Sequence, residues 1–249
     1  MIKYKQPDTI RRPSQRVSFF IPFYRYSKQI ILMKIFLDTA DVSTILTHFE
    51  TGLIDGVTTN PTLIMKSGRD PEDVYQELAE AGVRDISMEV VGSRDEMTSE
   101  GRRLATKFQE VATIKVPCTP DGLYVCNQLA KDGTKVNVTL IFDAAQAILA
   151  AKAGATYVSP FVGRLDDNSV NGLDVISDIS EIFNKHWIKT QILSASIRGV
   201  KAVSTSFALG AQVVTMPPTV FEKMYNHVLT DKGLQLFDAD WASVVANNK

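Results

Sequence analysis

The stretch KVNVTLIFDAAQAILAAKAGATYVSPFV, Lys135 to Val162, points to the fold class. KVNVTLI is rich in β-branched residues over seven positions, as a strand is. DAAQAILAAKAG is alanine-rich and ends at Gly154, where a left-handed helix terminus is common. ATYVSPFV then returns to strand character. A strand, a helix and a second strand in under thirty residues make a βαβ unit, whose strands run parallel.

The unit repeats outward in both directions. Upstream lie the β-rich runs KIFLD, GVTTN, DISMEV and ATIKVP; downstream lie TQILSAS and AQVVTMP. Helical patterns separate most of them, among them DPEDVYQELAEAG, SRDEMTSEGRRLATKFQE and DGLYVCNQLAKDG. Asp70 before Pro71 reads as an N-cap with proline at the first helical position. Eight strands alternating with helices predict an α/β fold with a parallel sheet, and this length is that of a closed (β/α)8 TIM barrel. An open doubly wound sheet would bring a glycine-rich phosphate turn, and neither GxGxxG nor GxxxxGK[ST] occurs. FEKMYNHVLTDKG and LQLFDADWASVVANN read as additional C-terminal helices. The second carries an apolar stripe of Phe237, Trp241 and Val245, a pattern of core or of a subunit interface.

The 249 residues are 45% apolar and 22% charged with a formal net charge of -1. This is ordinary for a globular protein and gives no overall attraction to nucleic acid or anionic membrane. No apolar run is long enough to span a bilayer. Cys118 and Cys126 have no CxxC spacing and read as free thiols of a reducing compartment. Met1 to Leu32 differs from the rest: it has seven Lys or Arg against the single acid Asp8, and without it the formal charge would be -7. Residues 1–32 therefore stand apart from the barrel expected over 33–249. Three readings are open for them: an artefact of start-site choice ahead of Met33, an Arg-rich targeting peptide, or a basic arm for a polyanionic partner. In the absence of a targeting role for that segment, the expected location is the cytoplasm.

One strand raises a chemical question. In ATIKVP, Lys115 sits between Ile114 and Val116 in what should be a buried run. A lone lysine at a sheet rim can snorkel. A buried one must be paired or lose its proton, and a neutral amine can attack a ketone to form a Schiff base. Other strands carry polar groups near their C-terminal ends. By the period-2 rule Thr58 pairs with Asn60, Asn137 with Thr139, Ser159 with Phe161, Asp38 with Phe36 and Glu89 with Ser87, and Ser194, Ser196 and Arg198 share parity. In a closed barrel those ends converge on one mouth, where active sites are built. Singly, such residues are commonly caps or rim positions. Together they provide an amine, two acids (Asp38 and Glu89) and a phosphate-binding group of Arg164, Ser196 and Arg198. No metal-ligand spacing is seen, and His48, His186 and His227 fall on helical or loop segments as surface or structural groups.

At these residues the sequence resembles a known family. DGVTTNPTLI and IKVPCTPDGL are similar to two signature segments of the transaldolases, and KVNVTLIFDAAQAILAAKAGATYVSPFVGRLDD to the stretch that follows the Schiff-base lysine. The resemblance runs from Met33 to Trp241 and is nearest in length to the small subfamily that includes the fructose-6-phosphate aldolases. It implies a metal-free, cofactor-free mechanism on a (β/α)8 barrel. Lys115 would be the Schiff-base lysine and Asp38 the main acid/base, with Glu89 and Thr139 holding a catalytic water. Asn60 and Asn137 would bind donor hydroxyls, with Thr58, Ser159 and Phe161 lining the site; Arg164, Ser196 and Arg198 would take the phosphate. The resemblance also implies sugar-phosphate substrates and a ring-like homo-oligomer, often a decamer in the family, with the C-terminal helix on a neighbour. Within the family the aldolases typically carry Gln where this chain has Glu89 and Tyr where it has Phe161. Those two positions, with Asn137 and the Ser196/Arg198 pair, favour a transaldolase over an aldolase that releases free dihydroxyacetone. A barrel that binds sugar phosphates without turning them over is the remaining alternative.

Overall fold

The structure, a computed structural model, describes residues 33–247; the basic segment 1–32 lies outside the described residues. Eight parallel strands close into a barrel in chain order: β1 (Lys34–Asp38), β2 (Gly56–Thr58), β3 (Ile86–Glu89), β4 (Ala112–Pro117), β5 (Lys135–Ile141), β6 (Tyr157–Pro160), β7 (Gln191–Ser194) and β8 (Val213–Met216). The expected (β/α)8 TIM barrel is the fold. Around it run α1 (Val42–Phe49), α2 (Pro61–Ser67), α3 (Pro71–Glu80), α4 (Arg94–Phe108), α5 (Pro120–Lys131), α6 (Ala144–Ala153), α7 (Val162–Asp166), α8 (Gly172–Lys185), α9 (Val200–Ala208), α10 (Pro218–Lys223) and α11 (Val228–Asn247).

Local chemistry starts the helices where the sequence signals them. The Asp70 carboxylate accepts from the Glu72 amide at 2.8 Å, with Pro71 at the first helical position of α3. Ser93 and Glu96 form a capping box ahead of α4. Asp143 caps α6, which ends on Gly154 at φ 95°. The chain's end departs from expectation. The break falls at Met224–His227, before α11, where His227 Nδ1 accepts from the Leu229 amide, and Gly233 continues inside the helix. An interior glycine costs a helix only about 1 kcal/mol, too little to end one of 20 residues.

Two separate cores follow from strand alternation. Val57, Ile86, Met88, Ile114, Val116, Val138 and Ile192 face outward and pack under the helices. A smaller apolar group, Phe36, Tyr157, Leu193, Ala195 and Val213, fills the barrel itself. Gly56 makes room for it: a Cβ there would come within 2.7 Å of the Phe36 ring. At the N-terminal end of the barrel Asp85 accepts from Thr113 Oγ1 at 2.7 Å and from the Tyr157 hydroxyl at 2.8 Å, and Lys135 approaches it at 3.4 Å. Burial pushes the Tyr157 phenol up, and the Asp85 charge adds to the shift. This polar floor closes one end, so the open chemistry is confined to the other.

Candidate active site

At the C-terminal ends of the strands lies a cavity of about 110 Å³, and a cleft of about 390 Å³ continues from it through shared walls at Asn60, Lys115, Thr139, Phe161 and Arg164. Lys115 is 6% exposed. Its Nζ donates to the Thr59 carbonyl oxygen at 2.9 Å and pairs with Glu89 Oε2 at 3.0 Å. The lysine in the apolar run is thus a buried, paired group. Register dictates the pairing: Glu89, Lys115 and Asn137 are direct partners across β3, β4 and β5, and all three face the barrel interior.

Asp38 ends β1 beside Thr58. Thr58 Oγ1 donates to Asp38 Oδ1 at 2.7 Å and lies 2.6 Å from Thr215 Oγ1, so the carboxylate is held in one orientation. Burial raises the Asp38 pKa; the Thr58 hydrogen bond and the Lys115 charge oppose the shift, and the Glu89 charge adds to it. An acid whose pKa is raised toward the working range suits proton transfer in both directions.

The remaining polar groups form a chain. Ser159 Oγ donates to Asn137 Oδ1 at 2.7 Å, and Asn137 Nδ2 donates to Ser87 Oγ at 3.2 Å. Asn60 lines the cavity and caps α2, its Oδ1 accepting from the Leu63 amide at 3.0 Å; its Nδ2 has no partner among the described residues and remains for a ligand. Thr139 Oγ1 is buried without a partner among the described residues. A buried hydroxyl in that state is left to a water or a bound molecule. Phe161 and Arg164 stand at the mouth, the guanidinium 4.7 Å from the ring centroid. Cys118 and Cys126 are free thiols, and burial pushes Cys126 up to about 12, so neither offers a thiolate nucleophile.

Of the twelve residues singled out in the sequence, ten line the inner cavity directly: Asp38, Thr58, Asn60, Lys115, Asn137, Thr139, Ser159, Phe161, Arg164 and Ser196. Glu89 lines the outer cleft. Arg198 stands off both walls, its guanidinium paired with Asp167. The expected parity of Ser194 with Ser196 does not hold. Ser194 turns toward α9 and lies 2.9 Å from Ser206 Oγ, whereas Ser196 reaches the cavity. β7 ends at Ser194 and Ser196 adopts φ 59°, so strand alternation no longer applies there. Leu140, at φ 60°, marks a bulge in β5 beside Thr139. Backbone strain of this kind, at about 1–3 kcal/mol per residue, gathers at functional sites.

Sequence reasoning missed Leu193, Ala195 and Thr215, which also line the cavity. Thr215 carried a signal, being the polar position of an apolar run in AQVVTMP. The Thr59 carbonyl carried none, since a backbone acceptor is invisible in a residue pattern. Thr59 is held in turn by its hydroxyl, which donates to the Ser87 carbonyl at 2.9 Å and lies 3.2 Å from the Tyr75 hydroxyl.

Comparison with known proteins agrees with this geometry. Residues 35–248 match the family described as transaldolase/fructose-6-phosphate aldolase. A probable transaldolase of Paracoccus denitrificans (strain Pd 1222) is 53% identical over 211 residues, covering 84% of this chain and 97% of that protein. Another, from Caulobacter vibrioides (strain NA1000 / CB15N), is 50% identical over 212 residues, covering 85% and 97%. A third, from Dinoroseobacter shibae (strain DSM 16493 / NCIMB 14021 / DFL 12), is 51% identical over 210 residues, covering 84% and 96%. With a matching family profile over most of its length and relatives at about half identity, the chain belongs to the transaldolase/fructose-6-phosphate aldolase family.

Proposed function

We propose that the chain is a transaldolase of the pentose phosphate pathway. It moves a dihydroxyacetone unit from sedoheptulose 7-phosphate or fructose 6-phosphate to erythrose 4-phosphate or glyceraldehyde 3-phosphate, through a Schiff base on Lys115. The observation that carries this reading is the buried Lys115 amine, 3.0 Å from the Glu89 carboxylate in a cavity that also holds Asp38. The names of the relatives support it as well.

The chemistry runs through these contacts. Glu89 takes a proton from the Lys115 ammonium, and the free amine attacks the donor ketone. The carbinolamine loses water, which leaves with the proton from Glu89 and is steadied by Thr139 Oγ1. In the iminium the nitrogen draws electrons as the C3–C4 bond breaks. Asp38 accepts the C4 hydroxyl proton and the aldose phosphate departs. An acceptor aldehyde then bonds to the enamine, Asp38 returns its proton to the new hydroxyl, and water frees Lys115. Arg164, Ser196 and Arg198 hold the substrate phosphate.

Phe161 supports transfer over aldolase release, because its ring offers no hydroxyl to protonate the waiting enamine. A coupled assay for glyceraldehyde 3-phosphate from fructose 6-phosphate, with and without erythrose 4-phosphate, tests this. Sustained product is expected only with the acceptor. Phe161→Tyr is expected to raise acceptor-free release of dihydroxyacetone by about 10²-fold, the lower end of the range for a placed proton donor. Equal wild-type turnover in both assays would make the protein an aldolase.

The free thiols fit a reducing cytoplasm. α11 fits a homo-oligomer: Phe237 and Trp241 are 71% and 68% exposed, so the stripe is no part of the core among the described residues. Light scattering is expected to give a multiple of the chain mass, and Trp241→Glu to reduce it.

A further inference from the structure

Arg198 lies next to the cavity without lining it. Its side chain runs across Gly163, where a Cβ would come 2.7 Å from Arg198 Cγ and 2.1 Å from the Ser196 carbonyl oxygen. The Gly163 amide donates to that same carbonyl at 3.0 Å. Gly163 therefore fastens Arg164, Ser196 and Arg198 into one cluster at the start of α7. The Arg198 guanidinium donates from Nη2 to Asp167 at the end of the same short helix. That pair is open to solvent, the side chains being 61% and 52% exposed. The neighbouring acid, Asp166, serves the backbone instead: it accepts from the Gly172 amide at 2.9 Å and so anchors the start of α8. No such backbone contact occupies the Asp167 carboxylate among the described residues.

We propose that Asp167 is a specificity-determining counter-ion, holding Arg198 until a substrate phosphate displaces it. This rests on reading Arg164, Ser196 and Arg198 as the phosphate site. An exposed ion pair is weak enough to exchange. A phosphate dianion offers a guanidinium two strong acceptor oxygens, and outcompetes a single carboxylate where a weaker monoanion does not. Asp167 thus sets a threshold that phosphorylated sugars clear and singly charged sugar acids do not. It also loosens the grip on product phosphate, since the carboxylate stands ready to retake Arg198.

The test uses the full chain with inorganic phosphate as competitive inhibitor against fructose 6-phosphate. Asp167→Asn is expected to lower both the inhibition constant for phosphate and the KM for fructose 6-phosphate, by about threefold to fivefold at low salt. In an Arg198→Gln background the same change is expected to do little, because the contested group is gone. Unchanged or weaker phosphate binding in Asp167→Asn would overturn the proposal while leaving the phosphate site intact. If the wild type ignores inorganic phosphate and Arg164→Gln leaves KM unmoved, the phosphate site itself is misplaced and the role of Asp167 falls with it.

Discussion

Lys115→Met is expected to lower turnover by on the order of 10⁴ or more, the scale at which loss of a covalent nucleophile is felt. Methionine nearly preserves the volume of the buried stem but carries no amine. In the wild type, borohydride added with fructose 6-phosphate is expected to reduce the Schiff base and leave a mass adduct on the peptide containing Lys115. The variant should take up none. Its fold should survive, with a lower melting temperature. Glu89 loses the partner 3.0 Å away, and removing one member of a buried pair costs up to about 3–5 kcal/mol. The true cost lies below that, since Glu89 keeps 15% of its side-chain exposure and water can take the vacated position. Near-normal turnover in a folded Lys115→Met protein would sink the Schiff-base mechanism outright.

Asp38→Asn is expected to cost about 10²–10⁴ in turnover, the range of a general acid/base, and to stabilise the protein at neutral pH. The two effects share a cause. Burial raises the Asp38 pKa above its ordinary 3.8. The folded state therefore holds that proton more tightly than the unfolded chain does. Stability is lost as pH rises from 3.8 through the raised folded value, and the loss persists at pH 7. Asparagine has the same shape, can still accept from Thr58 and never ionises. Melting curves should show the variant above the wild type at pH 7, with the gap closing as pH falls below about 4. A pH-independent gap would mean that burial does not burden this carboxylate. The site would then be spending stability on orientation alone.

Much of the fold was legible because its signals are local. The run from Lys135 to Val162 forms β5, α6 and β6 in the order its composition implies. The cap at Asp70 is a short-range hydrogen bond between residues two apart. Pairing of Asn137 with Thr139, or Ser159 with Phe161, needs only a regular pleat, and all four line the cavity. The failures occur where the pleat ends. Ser196 leaves the strand geometry, and Gly233, where the pattern set a break between two helices, stays inside one.

Propensity and alternation act over a few residues, and so the order of amino acids was enough to place the elements, their parallel sense and the kinds of chemistry at the strand ends. Who meets whom was settled only in three dimensions. Closure of the barrel sets Glu89 across from Lys115, brings Thr215 from β8 to Thr58 on β2 and presents the Thr59 carbonyl to the lysine. It also gives Arg198 to Asp167, 31 positions away in the chain, rather than to the cavity wall. Such contacts depend on strand register and backbone path summed around the whole ring, and no window of sequence contains that sum.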